Sequence, residues 1–345
     1  MQYSTMNLMR IRFHVFLLLG LPLLANSLVS TTRRNALAQS VAGVGVTILT
    51  SFPEAATANV GSLPEFQDTN VIVQGMTVRV ADKSQQDAMV SFLADSFDFE
   101  IQRQRIRNNV EEIWMGFGPE QVSIPSDFEI PVSSFARYGG HASICIVYDP
   151  SLTTALYRVG SETPPGNNIA YLQVGVPTYR ISQMVKNGGK VLDAYGIVNV
   201  VSPSGLPMRG IVGIAPDPIM FVAINCDNVK QSKEFYEKLG FSEQEYPYCR
   251  PNKGMGQFEP PQPPKSIYMA PSKNCMGVLL LPSKKKVTPN PVVDTLNLVY
   301  TPSEETTTNA STDGEDAFVP IPDPSGLPIR FQSVKTFEAE EKLTR

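Results

Sequence analysis

Histidine is almost missing from this chain of 345 residues, which has only His14 and His141. Catalysis or metal binding built on several histidines is thereby excluded. Cysteine is scarce too: Cys145, Cys226, Cys249 and Cys275 form no CxxC and no zinc spacing. Basic residues fall short of acidic ones, 29 against 33, so no positive footprint for nucleic acid exists. Nor is there a Gly-rich phosphate loop, a Ser-His-Asp order or a pair of carboxylates set for acid–base work. Long apolar runs are few. A hydrophobic content of 42% with 18% charged residues excludes both global disorder and a multi-span membrane protein. What the chain does have is length for about two domains. Its 29 prolines favour strands and turns over long helices.

The first 58 residues read as an address. Arg10 and Arg12 precede an apolar run, Phe13 to Ala25, and small residues follow at Ala25-Asn26-Ser27. That is the layout of a secretory signal peptide, too short for a comfortable membrane span. A second signal comes next: Arg33-Arg34, a mildly apolar stretch from Ala36 to Leu49, and Ala56-Thr57-Ala58. A twin arginine, a weak apolar region and an A-x-A site describe a Tat-type export signal. No acidic residue occurs before Glu54. Two stacked signals resemble the layered targeting of secondary plastids, first to the endoplasmic reticulum, then the plastid, then the thylakoid lumen. The other reading is a single signal peptide and secretion. Residues 59–69 read as a linker, and cleavage after Ala58 leaves 25 bases and 32 acids.

Self-comparison exposes a repeat. Ser202-Pro203-Ser204-Gly205-Leu206-Pro207-Met208-Arg209 returns as Asp323-Pro324-Ser325-Gly326-Leu327-Pro328-Ile329-Arg330. Each copy is a turn leading into an alternating strand. Upstream, the strand 73–80 is followed by a helix through Met89, Phe92 and Leu93. Likewise the strand 220–225 is followed by an amphipathic helix, Ser232–Leu239, closed by Gly240. The order recurs at 169–174 and 181–187. Four βαβββ units are predicted at roughly 70–149, 168–213, 218–282 and 293–334. The fold class is α+β, with curled mixed sheets. The fourth unit is eroded, since residues 302–317 are polar and acidic where a helix should be. Residues 247–264 form a Pro-rich loop, and residues 335–345 a tail.

Lys233-Glu234-Phe235-Tyr236-Glu237-Lys238-Leu239-Gly240-Phe241 resembles the first helix of the vicinal oxygen chelate superfamily, which includes glyoxalase I, bleomycin- and fosfomycin-resistance proteins and extradiol dioxygenases. Asn187-Gly188-Gly189-Lys190-Val191 resembles the end of its second helix, and Asp323-Pro324-Ser325-Gly326 its last turn. The resemblance implies two tandem glyoxalase-like modules, 70–214 and 215–334, each a pair of units curled into a cup. It also implies that the two modules pair inside one chain, so a monomer is expected.

In the metal enzymes of that superfamily, His, Gln or Glu stand on the first and last strand of each unit. Counting from the matched segments places Gly75 and Cys145, Ile169 and Arg209, Phe221 and Leu279 or Leu280, and Thr295 and Arg330 at those positions. Cys145 is the one candidate donor, because arginine does not deprotonate to bind a metal. Gln74 adjoins Gly75, and His141 reads as a turn residue beside Gly139-Gly140. The usual metal site is expected to be absent, with no cofactor required; a divalent metal held by displaced ligands (Gln74, Cys145, Gln173) is the alternative.

Period-2 alternation then lines a first cup with Arg79, Arg209, Gln173, Tyr171 and Cys145. Two guanidinium groups in a concave site suit a small carboxylate or phosphate. The competing reading pairs Arg209 and Arg330 with acids at the sheet rim. A second cup would gather Phe221, Ala223, Asn225, Asn297 and Arg330. Trp114 is expected in the core or in a cup wall. Three functions stay open: a metal-independent ligand-binding protein, a lactoylglutathione lyase-like or dioxygenase-like enzyme, and a structural or assembly protein of a thylakoid complex. No catalytic residue is assigned.

Overall fold

The computed structural model describes residues 71–117, 142–151, 167–192, 196–213, 217–247, 262–271, 275–290, 292–300, 320–333, 336–337 and 339. All belong to one compact unit, Ala55–Arg345. The address 1–58, the linker 59–69, His141, Cys249, residues 302–317 and most of the Pro-rich loop and tail lie outside the described residues.

The four units appear where the repeat places them. Unit one is β1 (Val71–Val80), α1 (Lys83–Phe97), β2 (Glu100–Arg107), β3 (Val110–Gly116) and β4 (Ser143–Tyr148). Unit two is β5 (Ile169–Val176), α2 (Arg180–Lys186), β6 (Lys190–Val191), β7 (Ile197–Val201) and β8 (Pro207–Val212). Unit three is β9 (Ile219–Cys226), α3 (Val229–Lys238), β10 (Ser242–Glu243), β11 (Ile267–Ala270) and β12 (Gly277–Pro282). Unit four has β13 (Val293–Tyr300), β14 (Ile321–Pro322) and β15 (Pro328–Ser333), and no helix among its described residues. The helices start where a side chain satisfies a free backbone N–H: Asp82 caps α1 and Asn228 caps α3, each accepting from the residue three places on.

The sheets do not pair unit one with unit two or unit three with unit four. A seven-stranded sheet runs β14-β15-β13-β1-β4-β3-β2, joining units one and four. An eight-stranded sheet runs β10-β11-β12-β9-β5-β8-β7-β6, joining units three and two. The expectation that units one and two share a cup is therefore corrected. The cause is link length. Six residues, 213–218, join β8 to β9, enough to step over β5 and pair with its far side but not to leave the sheet. Twenty residues separate β4 from β5, which frees unit two to build elsewhere.

One face of each sheet enters a shared apolar core with the helices, containing Met76, Leu93, Met184, Val222 and Tyr236. Within this core, consecutive units still meet. Arg180 pairs with Asp98, and the Asn187 amide donates to Ser96, so α2 docks on α1. The repeated turn has the same task in both halves. Ser204 Oγ lies 3.6 Å from Met89 Sδ on α1, and Gln85 donates to the Pro203 carbonyl. In the other half, the Tyr236 hydroxyl of α3 donates to Asp323 at 3.0 Å. Gly205 and Gly326 sit at φ of 90° and 83°, the left-handed region that makes glycine the residue for this turn.

Candidate functional site

The faces turned away from the helices, the two concave faces, are where ligands of such a scaffold would lie. Their geometry is set by a device repeated four times. Each unit's first strand carries a β-bulge, with the register slipping at Gln74, Ala170, Met220 and Asp294. A bulge puts two successive residues on one face. Val73 and Met76 both belong to the helix-side core, so Gln74 and Gly75 lie between them on the other side. Gly75 is required there: at φ 142°, an added Cβ would lie 1.8 Å from the Ser143 carbonyl oxygen.

The bulges align the units residue by residue. Gly75, Tyr171, Phe221 and Thr295 are equivalent, which corrects one expected position. Ile169 lies before its bulge and packs in the helix-side core, so Tyr171 takes its place. The last strands match as well. Cys145 pairs with Thr77, Arg209 with Gln173, Leu279 with Ala223 and Arg330 with Asn297. Leu279, not Leu280, faces the concave side.

These residues do not fit a metal. The seven-stranded sheet offers Gly75, Cys145, Thr295 and Arg330, and the eight-stranded sheet offers Tyr171, Arg209, Phe221 and Leu279. Burial raises the Cys145 thiol far above its ordinary range. The displaced set also fails to assemble, since Gln74 and Cys145 lie on one sheet and Gln173 on the other. Among the described residues, no three His, Cys, Asp or Glu side chains cluster as ligands. Cys145 and Cys226 are free thiols.

The pairing of the sheets redistributes the expected ligand residues. Arg79, Cys145 and Arg330 belong to the seven-stranded sheet, and Tyr171, Gln173, Arg209 and Asn225 to the eight-stranded one. Arg79 does not join Arg209; it forms an ion pair with Asp294 at 2.8 Å, the rim pairing that sequence reasoning reserved for other arginines. Asn225 donates its amide to the Asn167 carbonyl at 2.7 Å and supports the entry to β5. Across the seven-stranded sheet, Thr295 donates to Asn297 and Asn297 to Thr77, a closed chain of 2.8 and 2.9 Å. Trp114 lines this face with Cys145 and Val147, and the Arg103 guanidinium lies 4.0 Å from its ring centre.

The concave face of the eight-stranded sheet is aromatic. Phe221 stands at the centre, with the rings of Tyr171, Tyr246 and Tyr268 at 6.1, 5.4 and 5.9 Å in edge-on contact. Gln173, fully buried, donates to the Tyr246 hydroxyl at 3.3 Å. Gln262, at the far end of the Pro-rich segment, donates to the same hydroxyl at 3.0 Å. The guanidinium of Arg209 lies 3.7 Å over the Tyr171 ring, and its Nε donates to Asn199 at 2.9 Å. Among the described residues no carboxylate pairs with it, contrary to the rim reading. Tyr171 and Asn199 also line a groove of about 880 Å³, which continues past Met208 and Lys190 to Ser91 and Asp95 of α1. Sequence reasoning missed Asn199, Tyr246 and Gln262. Asn199 had a signal, because it stands opposite Arg209 in the β7–β8 hairpin.

No protein-family model and no curated protein sequence matches the chain. Solved structures do. Glyoxalase I from Zea mays superposes with a TM-score of 0.53 over 80% of this chain and 96% of that one, at 14% identity. A single-substitution variant of the same maize protein gives 0.54 over 79% and 95%, at 13% identity. Likeness at this identity establishes architecture and leaves activity to the site. The chain therefore has the fold of glyoxalase I, built from tandem units.

Proposed function

We propose that the protein is a ligand-binding member of this fold that works without a metal, in the thylakoid lumen of a plastid. Its ligand is a small planar anion, an aromatic carboxylate in the simplest case. The observation that carries the reading is Arg209: a guanidinium stacked on Tyr171, oriented by Asn199, with no acid among the described residues paired to it, beside an 880 Å³ groove. A guanidinium held flat in this way presents its remaining N–H groups as a fork for a carboxylate. The ring beneath it favours stacking of a planar body. The donor sets of both sheets speak against glyoxalase or dioxygenase chemistry, because Arg, Leu, Phe, Tyr and Thr stand where ligands would be needed. Location in the lumen rests on the two stacked signals of residues 1–58.

The test is calorimetric titration of the purified protein with a panel of aromatic carboxylates and their uncharged amides. Carboxylates are expected to bind, and the amides to bind more weakly. Arg209→Gln is expected to weaken the carboxylates by about 10- to 100-fold, the worth of a charge-assisted hydrogen bond. Equal binding of acid and amide would remove the reading. A reporter fused behind residues 1–58 is expected to reach the lumen.

A second reading, a structural or assembly protein, has its own observation. Val185, Val191, Leu192 and Val201 are half-exposed apolar residues on α2 and around the short edge strand β6. Apolar side chains gathered at a sheet edge are a common mark of a protein contact. Co-purification of a stable complex that dissociates on Val191→Lys would favour this reading over the first.

A further inference from the structure

The edge of the eight-stranded sheet formed by β8, β7 and β6 carries a row of residues in direct register. Lys190 stands opposite Asn199, and Asn199 opposite Arg209. Residues directly opposite each other in antiparallel strands project to the same face. Val198 and Val200 enter the helix-side core, so Asn199, and with it Lys190 and Arg209, belongs to the concave face. Two strand spacings separate Lys190 from Arg209, about 9.6 Å between their Cα atoms. Asn199 lies between the two cations. Its Oδ1 accepts from the Nε of Arg209, which leaves its Nδ2 as a further donor on the same row.

No acid balances this row. Gln173 stands opposite Arg209 on the inner side, and neither cation forms an ion pair among the described residues. The groove that Lys190 and Asn199 line has one acid, Asp95, which stands on α1 and pairs with neither. The seven-stranded sheet shows the contrast. There Arg105 pairs with Glu112, the residue directly opposite it on β3, and Arg79 pairs with Asp294. Opposite charges set across neighbouring strands neutralise a cation that serves packing alone. In a chain with 33 acids and 29 bases, two unbalanced cations in one row suit an anion from outside.

We infer that the ligand of the Arg209 site is a dianion, with one acidic group on Arg209 and a second, at its far end, on Lys190. The inference rests on the Arg209 reading and narrows the class of ligand it names. Arg209 takes the first group as a fork beside the Tyr171 ring. Lys190 is exposed on the two-residue strand β6, and its flexible stem brings a point charge to the second group. The Asn199 amide donates between them. A planar ring with acids at opposite ends spans the two cations, whereas acids on neighbouring carbons crowd onto one.

The experiment is calorimetric titration of the purified protein with benzoate, 1,2-benzenedicarboxylate and 1,4-benzenedicarboxylate. The 1,4-isomer is expected to bind about 10-fold more tightly than benzoate, the worth of one added charge-assisted contact, and the 1,2-isomer to gain less. Lys190→Gln is expected to abolish the advantage of the 1,4-isomer and to leave benzoate within about twofold. Lys190→Arg should keep that advantage, and Arg209→Gln should weaken all three. Circular dichroism checks that each variant is folded. If benzoate binds and the 1,4-isomer binds no better, the dianion is overturned while the Arg209 reading stands. The same holds if the 1,4-isomer keeps its advantage in Lys190→Gln. If none of the three binds, the Arg209 reading fails and the dianion falls with it.

Discussion

The two concave faces share one frame and differ in filling. Each sits on two antiparallel first strands, each strand bulged at the same place, with last strands in parallel register on either side. On the eight-stranded sheet the equivalent positions hold Tyr171, Phe221, Arg209 and Leu279, and the space is packed with rings. On the seven-stranded sheet they hold Gly75, Thr295, Cys145 and Arg330, and the space is bridged by hydrogen bonds and covered by Phe337. A scaffold that fixes backbone geometry this closely leaves chemistry to the side chains. The difference teaches that one copy can hold a half-buried arginine over a ring beside a groove, while the other keeps its arginines packed against Trp114 and Phe337.

The comparison can be broken most forcefully at Phe221. Phe221→Ala removes the centre of the aromatic cluster and is expected to cost about 3–5 kcal/mol in urea unfolding. Trp114 sits on the other sheet, so its emission and far-ultraviolet circular dichroism should still report one coincident transition. Two separate transitions would show that the faces are independent folding units.

Next in size is the pH response of the frame both faces share. Asp217 lies in the 213–218 link and accepts from Ala142, before β4, and from Ile219, in β9. Burial raises its carboxyl to about 7 despite these donors, and Asp323 is raised to about 6 for the same reason. The folded chain then holds these protons more tightly than the unfolded one. Their stabilising contribution is complete below the ordinary carboxyl value of 3.8 and is lost as pH rises through about 6 to 7. The protein is expected to be more stable near about pH 5 than near about pH 8, by on the order of a few kcal/mol. Asp217→Asn should flatten much of that slope in melts across pH. An unchanged slope would show that Asp217 is ionised throughout.

The smallest effect sharpens the polar face. Asn297→Ala breaks the Thr295–Asn297–Thr77 chain and is expected to cost about 1 kcal/mol, measured by the same urea transitions. A loss as large as that of Phe221→Ala would make the hydrogen-bonded face as strongly determined as the aromatic one.

Element order, unit boundaries and the repeated turn were legible in the sequence, because hydrophobic period and Pro-Ser-Gly chemistry are local. Which side chains face inward was legible only in part. Period-2 counting assumes an unbroken strand, and each bulge shifts the parity by one. Ile169 stands before its bulge and faces the helix-side core, whereas Phe221 and Thr295 follow their bulges and face the other side. The pairing of units one with four and two with three could not be read locally, since it depends on the 213–218 link being short. Phe337 gave no signal, being a single aromatic residue in a polar tail, with its partners Ile72 and Arg103 over two hundred positions upstream. Trp114 was read as core or cup wall, and the structure makes it cup wall.

The crossed pairing also dictates an order of assembly. Contacts inside the eight-stranded sheet join residues such as Gln173 and Met220, 47 positions apart, whereas Thr77 waits for Asn297, 220 positions on. Closing the longer loop costs about 1.4 kcal/mol more in chain entropy. During synthesis the first unit emerges with β1 lacking its β13 partner until nearly the whole chain is available. The middle of the sequence thus forms the nucleus and the two ends close last, so the polypeptide matures from the inside outward.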